Sequence, residues 1–207
     1  MIPASVPPAN VEVPELHFTK KMSLQSDETA MIIVDMQNDF VKKNGSLFVP
    51  AAAETLNNIG TLLKKARLKK VKVIFTQDTH FDGDKEWDIW PKHCEKNSWG
   101  WKIVDELKPS DNELIVEKNR YDGFYQSNLE HYLSHVWKIK NLVITGTVSN
   151  ICVAHTAASA GLRWFNIVVP ADGISSFTDF DQAMTLRQVS TLYTGSITKS
   201  VEDINFT

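Results

Sequence analysis

Apolar residues along this chain come in short solid blocks, separated by longer stretches where they recur every third or fourth position. AMIIVD (30–35), VKVIFTQD (71–78), ELIVEK (113–118), NLVITG (141–146) and NIVVPAD (166–172) are blocks of the first kind. Each has the length of a strand and is largely without a polar face, as burial on both sides requires. GSITKS (195–200) is a weaker sixth. Between the blocks, Leu56, Ile59, Leu63 and Ala66 keep helical spacing on a polar background. Leu129, Leu133 and Val136 mark another helix, and 150–164 and 181–193 read as two more. Buried strands alternating with helices predict an α/β fold: a doubly wound, mostly parallel six-stranded sheet with helices on both faces. Residues 1–28 carry Pro3, Pro7, Pro8 and Pro14 without clear periodicity. They read as an extended arm that wraps the domain or a neighbouring subunit of a homo-oligomer, leaving 29–207 as a single domain.

Composition narrows this picture without changing it. A chain of 207 residues suits one domain with a sizeable core. Its 43% apolar and 23% charged residues are ordinary for a globular protein. A formal net charge of -3 gives no footprint for nucleic acid or an anionic membrane. No apolar run approaches the roughly 20 residues that span a bilayer. The start, MIPASVPPANVEVPELHFTKK, lacks the basic region and apolar stretch of a signal peptide, which points to the cytoplasm. In that reducing compartment Cys94 and Cys152 must each be core, ligand or nucleophile.

The polar residues fall where the strands end. Asp35 closes the first block, Asp78 the second and Lys118 the third, while Gly146 and Thr147 close the fourth just before Cys152. Sites in open α/β sheets lie beyond the carboxyl ends of the strands. In TGTVSNICVAHTAASAG, strand, turn and helix follow within a few residues. This puts the Cys152 sulfur in the first turn of a helix, where backbone N–H groups and the macrodipole favour an anion. A thiol so placed can fall below its usual value of about 8.5. The same N–H groups can hold an oxyanion. The plain alternative is a small buried cysteine beneath the helix. Asp35 and Lys118 shift the balance towards chemistry: the carboxylate can take the thiol proton and the ammonium can stabilise the thiolate. A structural Asp–Lys pair beside an inert cysteine is the competing account.

QDTHFDGDKEWDIWPKHC holds a second constellation. Asp78 and His80, two apart on an extended segment, leave the same face. His93 follows thirteen residues after His80, with Glu86 between them. Two histidines and one or two carboxylates suit Zn²⁺, Mn²⁺ or Fe²⁺ with positions left open for water or substrate. Glu86 can equally be a solvated loop residue. Cys94 is a rival ligand, better read as buried packing.

VDMQNDF (34–40), the Asp-x-His at 78–80, WPKHC (90–94), EKNRYDGF (117–124) and GTVSNICVAHTA (146–157) stand in this order over roughly 28–200. Together they resemble the nicotinamidases of the isochorismatase-like cysteine hydrolase superfamily. The resemblance implies the fold described above and a triad of Asp35, Lys118 and Cys152. It implies a divalent metal, zinc foremost, on Asp78, His80 and His93, with Glu86 as a further ligand. It implies a cis peptide between Thr147 and Val148, aiming the Val148 and Cys152 amides at an oxyanion. Phe40, Trp90, Tyr121 and Phe124 fall where that family lines its pocket with aromatics. CEKNSWG and VSNIC depart from the nicotinamidase pattern, which has Val-x-Gly-Thr after the His-Cys and Thr-Asp before the nucleophile. The first functional reading is therefore a metal-containing nicotinamidase releasing nicotinate and ammonia through a Cys152 thioester. The second is a hydrolase of another small amide, an N-carbamoyl or ureido compound, with the same triad and no need of a metal. The third is a catalytically silent binding protein that keeps the fold.

Overall fold

In the computed structural model, which describes residues 12–207, the apolar blocks become a fully parallel sheet. Its strands are β2 (Thr29–Val34), β3 (Lys72–Asp78), β4 (Leu114–Lys118), β5 (Asn141–Thr147), β6 (Asn166–Pro170), β7 (Ile174–Ser175) and β8 (Ser196–Thr198). The path runs β4-β3-β2-β5-β6-β8, and β7 pairs with the end of β5. The sheet therefore has seven strands rather than six. β7 is only two residues long, too short for a periodic pattern to register. A separate two-stranded sheet pairs β1 (Met22–Leu24) in parallel with β9 (Ile204–Phe206). The first eleven residues of the expected arm lie outside the described residues.

Alternation along the strands sets the layers. Met31 and Ile33 of β2 face one way, towards Ile59, Leu62, Leu63 and Ala66 of α2 (Pro50–Leu68), which follows the short α1 (Asn38–Val41). Ala30, Ile32 and Val34 face the other way. There they meet Ala157 and Ala160 of α3 (Ala154–Leu162) and Leu186 and Val189 of α4 (Asp179–Leu192). Both faces of β2 are buried, so its sequence shows no polar stripe. Pro50 opens α2 at a position where its missing N–H costs nothing, and Lys65 and Arg67 sit in its last turn, favourable to the helix dipole. Leu129 and Leu133 are core as their spacing predicts, but Val136 is 50% exposed. The segment His131–Val136 is a wide helical turn, which breaks the 3.6-residue register on which that expectation rested.

Strand order reverses direction between β2 and β5, creating the crevice where α/β sheets bind ligands. Gly146 makes the close approach possible at this point. Its φ is +113°, and a Cβ there would stand 2.1 Å from the Val34 carbonyl oxygen. Asp35, one residue past β2, also adopts a left-handed φ of 49°, which turns its side chain out of the strand's alternation.

Candidate active site

The carboxyl ends of β2, β3 and β4 and the turn after β5 bring the four ionisable groups together. Lys118 Nζ lies 2.7 Å from Asp35 Oδ2, 2.9 Å from Asp78 Oδ1 and 3.7 Å from Cys152 Sγ. All four side chains are buried. Thr76 Oγ1 donates to Asp35 Oδ1 at 2.6 Å and accepts from the Asp35 N–H at 3.2 Å. The Lys118 ammonium covers the other oxygen, Asp35 Oδ2, as an ion pair.

Electrostatics separate the two carboxylates. Burial lifts the Asp35 carboxyl above its ordinary range, against the pull of Lys118. Burial pushes Asp78 the same way, yet the Lys118 ammonium and the His80 and His93 rings beside it together hold it well below that range. Lys118 is driven well above its usual value: burial opposes its charge, and Asp35 and Asp78 outweigh burial. Cys152 reverses the expectation drawn from the helix start. Burial pushes its thiol well above the usual range; Lys118 pulls it down, and Asp35 and Asp78 push it further up. The residue sits in a wide turn, Ser149–Val153, ahead of α3, where burial outweighs any pull from helix-start amides. Burial thus favours the neutral forms of both the Cys152 thiol and the Asp35 carboxyl. The Thr147–Val148 peptide is cis.

Beside the thiol, ligand atoms of Asp78, His80, Glu86 and His93 all lie within 4.8 Å of one another, on buried side chains. Their hydrogen bonds test whether a cation fits. His93 Nδ1 bonds to the Pro91 carbonyl at 2.7 Å, and a carbonyl only accepts, so this nitrogen carries a proton. His80 Nδ1 bonds to Asp84 Oδ2 at 2.9 Å. Both Nε2 atoms then converge on Asp78 Oδ2, at 3.0 and 3.4 Å. In neutral rings these nitrogens are lone pairs facing a carboxylate oxygen, an arrangement a cation stabilises. The other resolution is a proton on the ring. Burial disfavours a charged His80, but Asp78, Asp84 and Glu86 outweigh it and raise the ring to about 9. The donor set fits a divalent metal, and the Asp78 and His80 backbones are held rigidly. Gln37 accepts from the Asp78 N–H at 2.7 Å and donates to the Asp78 carbonyl at 2.9 Å. His80 donates its N–H to the Cys94 carbonyl at 3.0 Å.

A narrow cleft opens onto both groups, lined by Cys152, Asp78, Glu86 and His93 on the polar side and by Phe40, Trp90 and Tyr121 among others on the apolar side. Trp90 Nε1 donates to the Tyr121 hydroxyl at 3.0 Å, which ties those two walls together. Phe124 is not on the cleft: its ring packs in the core near Phe165, under the Arg163 guanidinium. Leu47, Ile151 and Phe177 line the cleft instead. Ile151 was within reach of sequence reasoning, one residue before Cys152. Phe177 arrives from the loop after β7 and carried no local signal. Asp84, four residues after His80, was a readable partner for it.

The isochorismatase domain family matches residues 29–201. The ureidoacrylate amidohydrolase RutB of Serratia proteamaculans is 29% identical over 193 residues, covering 80% of this chain and 77% of that protein. Two solved structures with the same fold are similar in sequence as well. N-carbamoylsarcosine amidase from Thermoplasma acidophilum has a TM-score of 0.75 at 30% identity, over 83% of this chain and 95% of that one. Nicotinamidase PncA from Bacillus subtilis has a TM-score of 0.78 at 26% identity, over 83% and 99%. No helix among the described residues is long and apolar enough to cross a membrane. The family match spans the strand ends and the turn that carry Asp35, Asp78, Lys118 and Cys152, and the chain belongs to the isochorismatase family as one of its cysteine-containing hydrolases.

Proposed function

We propose that this chain is a cysteine amidase acting on a ureido or N-carbamoyl compound, with Cys152 as nucleophile, Asp35 as proton carrier and Lys118 as the fixed cation between them. The observation that carries the chemistry is the buried Asp35–Lys118–Cys152 group, which meets the cleft at Cys152. The substrate class rests on likeness to the ureidoacrylate amidohydrolases and to N-carbamoylsarcosine amidase.

As substrate enters, the thiol proton passes to Asp35 and the sulfur forms a bond to the carbonyl carbon. Charge moves to the carbonyl oxygen, which the Val148 and Cys152 amides receive. The C–N bond then breaks as Asp35 returns the proton to the leaving nitrogen. Water attacks the thiocarbamate left on Cys152 (a thioester where the substrate is a simple amide), releasing carbamic acid and restoring the thiol. Lys118 keeps Asp35 in place throughout and lowers the cost of the thiolate. Asp78, His80, Glu86 and His93 would hold the divalent metal, and its chemistry there is to anchor a donor atom of the substrate. Phe40, Trp90 and Tyr121 would hold the rest of the substrate against the cleft wall.

Nicotinamide is the second reading, favoured by the four-residue metal cluster and the aromatic walls. Ammonia release measured side by side on ureidoacrylate, N-carbamoylsarcosine and nicotinamide, with metal content determined on the same protein, separates the two. Greater kcat/KM on a ureido or N-carbamoyl compound supports the first reading, and preference for nicotinamide replaces it with the second. Cys152→Ala should lose turnover on every substrate while its circular dichroism stays that of the parent. Near-normal turnover in that variant excludes the thioester route.

A further inference from the structure

We propose that Asp39 is a positioning residue for the metal cluster, bracing His93 and the Phe40–Leu47 wall of the cleft against each other. The inference rests on the metal-site reading above.

Asp39 follows the motif that supplies Asp35 and Gln37, but it neither lines the cleft nor contacts the triad. Its side chain is buried, and both carboxyl oxygens are used on backbone N–H groups. Oδ2 accepts from Cys94 at 2.7 Å and Oδ1 from Ser46 at 3.1 Å. Cys94 is the residue after His93, and Ser46 is the residue before Leu47. The Asp39 backbone continues the same tie: its carbonyl accepts from the Leu47 N–H at 3.2 Å, and its N–H donates to the Gly100 carbonyl at 3.0 Å. One residue of α1 thus links the apolar wall at Leu47, the segment that carries His93 and the turn at Gly100.

Cys94 is the pivot. It holds a left-handed φ of 47°, unfavourable for a side chain with a Cβ, so the turn needs outside support. That support is the Asp39 carboxyl on its N–H and the His80 N–H on its carbonyl. Rotating the Cys94 peptide moves the His93 ring directly and loosens His80 through the second bond. Gly100 completes the bracket from behind. A Cβ on it would stand 2.1 Å from Asp39 Cγ and Oδ2, so only glycine lets the carboxyl sit where it does.

Two variants disturb this link by different routes. Asp39→Asn keeps one acceptor but turns an NH₂ towards a backbone N–H, so one of the two bonds is lost. Gly100→Ala leaves Asp39 chemically intact and drives its carboxyl out of position. Each is tested by Zn²⁺ affinity, read in competition with a chromophoric chelator, and by the rate of Cys152 alkylation with iodoacetamide. Both variants should weaken Zn²⁺ binding about tenfold or more, while alkylation stays within about twofold of the parent, the range by which outer partners of metal ligands act on affinity. A role in stability alone would lower the melting temperature and leave Zn²⁺ affinity unchanged. Parental affinity in either folded variant overturns the proposal and leaves the metal site standing. If Asp39→Asn does not fold, Gly100→Ala decides alone. A parent protein that binds no Zn²⁺ removes the metal reading itself, and this inference with it.

Discussion

Lys118 is the residue on which the interior charge balance turns. Its ammonium touches two carboxylates and a thiol, and its side chain is completely buried. Lys118→Met keeps the volume and removes the charge, leaving Asp35 and Asp78 facing each other in the interior. Breaking a buried pair in this way costs about 3–5 kcal/mol. The midpoint of urea unfolding should fall accordingly, and a variant as stable as the parent would show that the pair is not the charged contact described here. The identity of these residues was legible because an ionisable group closing an apolar strand is costly unless it has a partner. The direction of the Cys152 shift was not legible. It depends on how completely the sulfur loses water, which a position at the start of a helix does not reveal. Phe124 misled for a related reason: an aromatic beside a motif fits a core or a cleft equally well until neighbours such as Phe165 are known.

Among the elements, the end of α2 is tied to Glu113, the residue before β4, by a polar contact whose behaviour with pH can be worked out. Arg67, near the end of α2, donates through Nε and Nη2 to the two carboxylate oxygens of Glu113, at 2.8 and 2.7 Å. Glu113 also accepts from the Ser110 N–H at 2.8 Å. Burial raises the Glu113 carboxyl, but these bonds outweigh it and hold the group below its ordinary 4.5. A carboxyl lowered on folding adds stability above its unfolded value, and that stability is lost as pH falls through the folded value. With Arg67 partly exposed, the contact is worth about 1 kcal/mol. Glu113→Gln should therefore unfold more easily than the parent at neutral pH, with the difference closing as the medium is acidified below 4.5. A gap that is the same at pH 7 and pH 3 would contradict this account. α3 and α4 were legible to within a few residues by their helical spacing, and the longer strands as solid apolar blocks buried on both faces. β7 and the wide turn at Ser149–Val153 were not, since neither is long enough to show one.

For the molecule as a whole, the layered parallel sheet followed from the apolar blocks, while the strand order that opens the crevice between β2 and β5 did not; the metal cluster is where binding should feed back on the fold. A ligand held only by the native state stabilises it by about 4 kcal/mol when present at a thousandfold excess over its Kd. Chelation should lower the melting temperature of the protein as purified, and added Zn²⁺ should restore it; a melt indifferent to both would mean that the cluster holds no metal. The pairing of β1 with β9 could not be read from the sequence, because three-residue strands at the two ends carry no pattern that refers to each other. This pairing has a consequence for the order of folding. The Thr207 hydroxyl donates to the Leu24 carbonyl across 183 positions, so the contact closes nearly the entire chain into a loop. Closing a long loop costs entropy that only later contacts return. The clasp should then form after the central strands have assembled, and it should be among the first parts to open. Hydrogen exchange followed residue by residue should find the amides of 22–24 and 204–206 exchanging well before those of β2 and β5. The protein would thus spend brief intervals with its ends parted and its catalytic crevice still built.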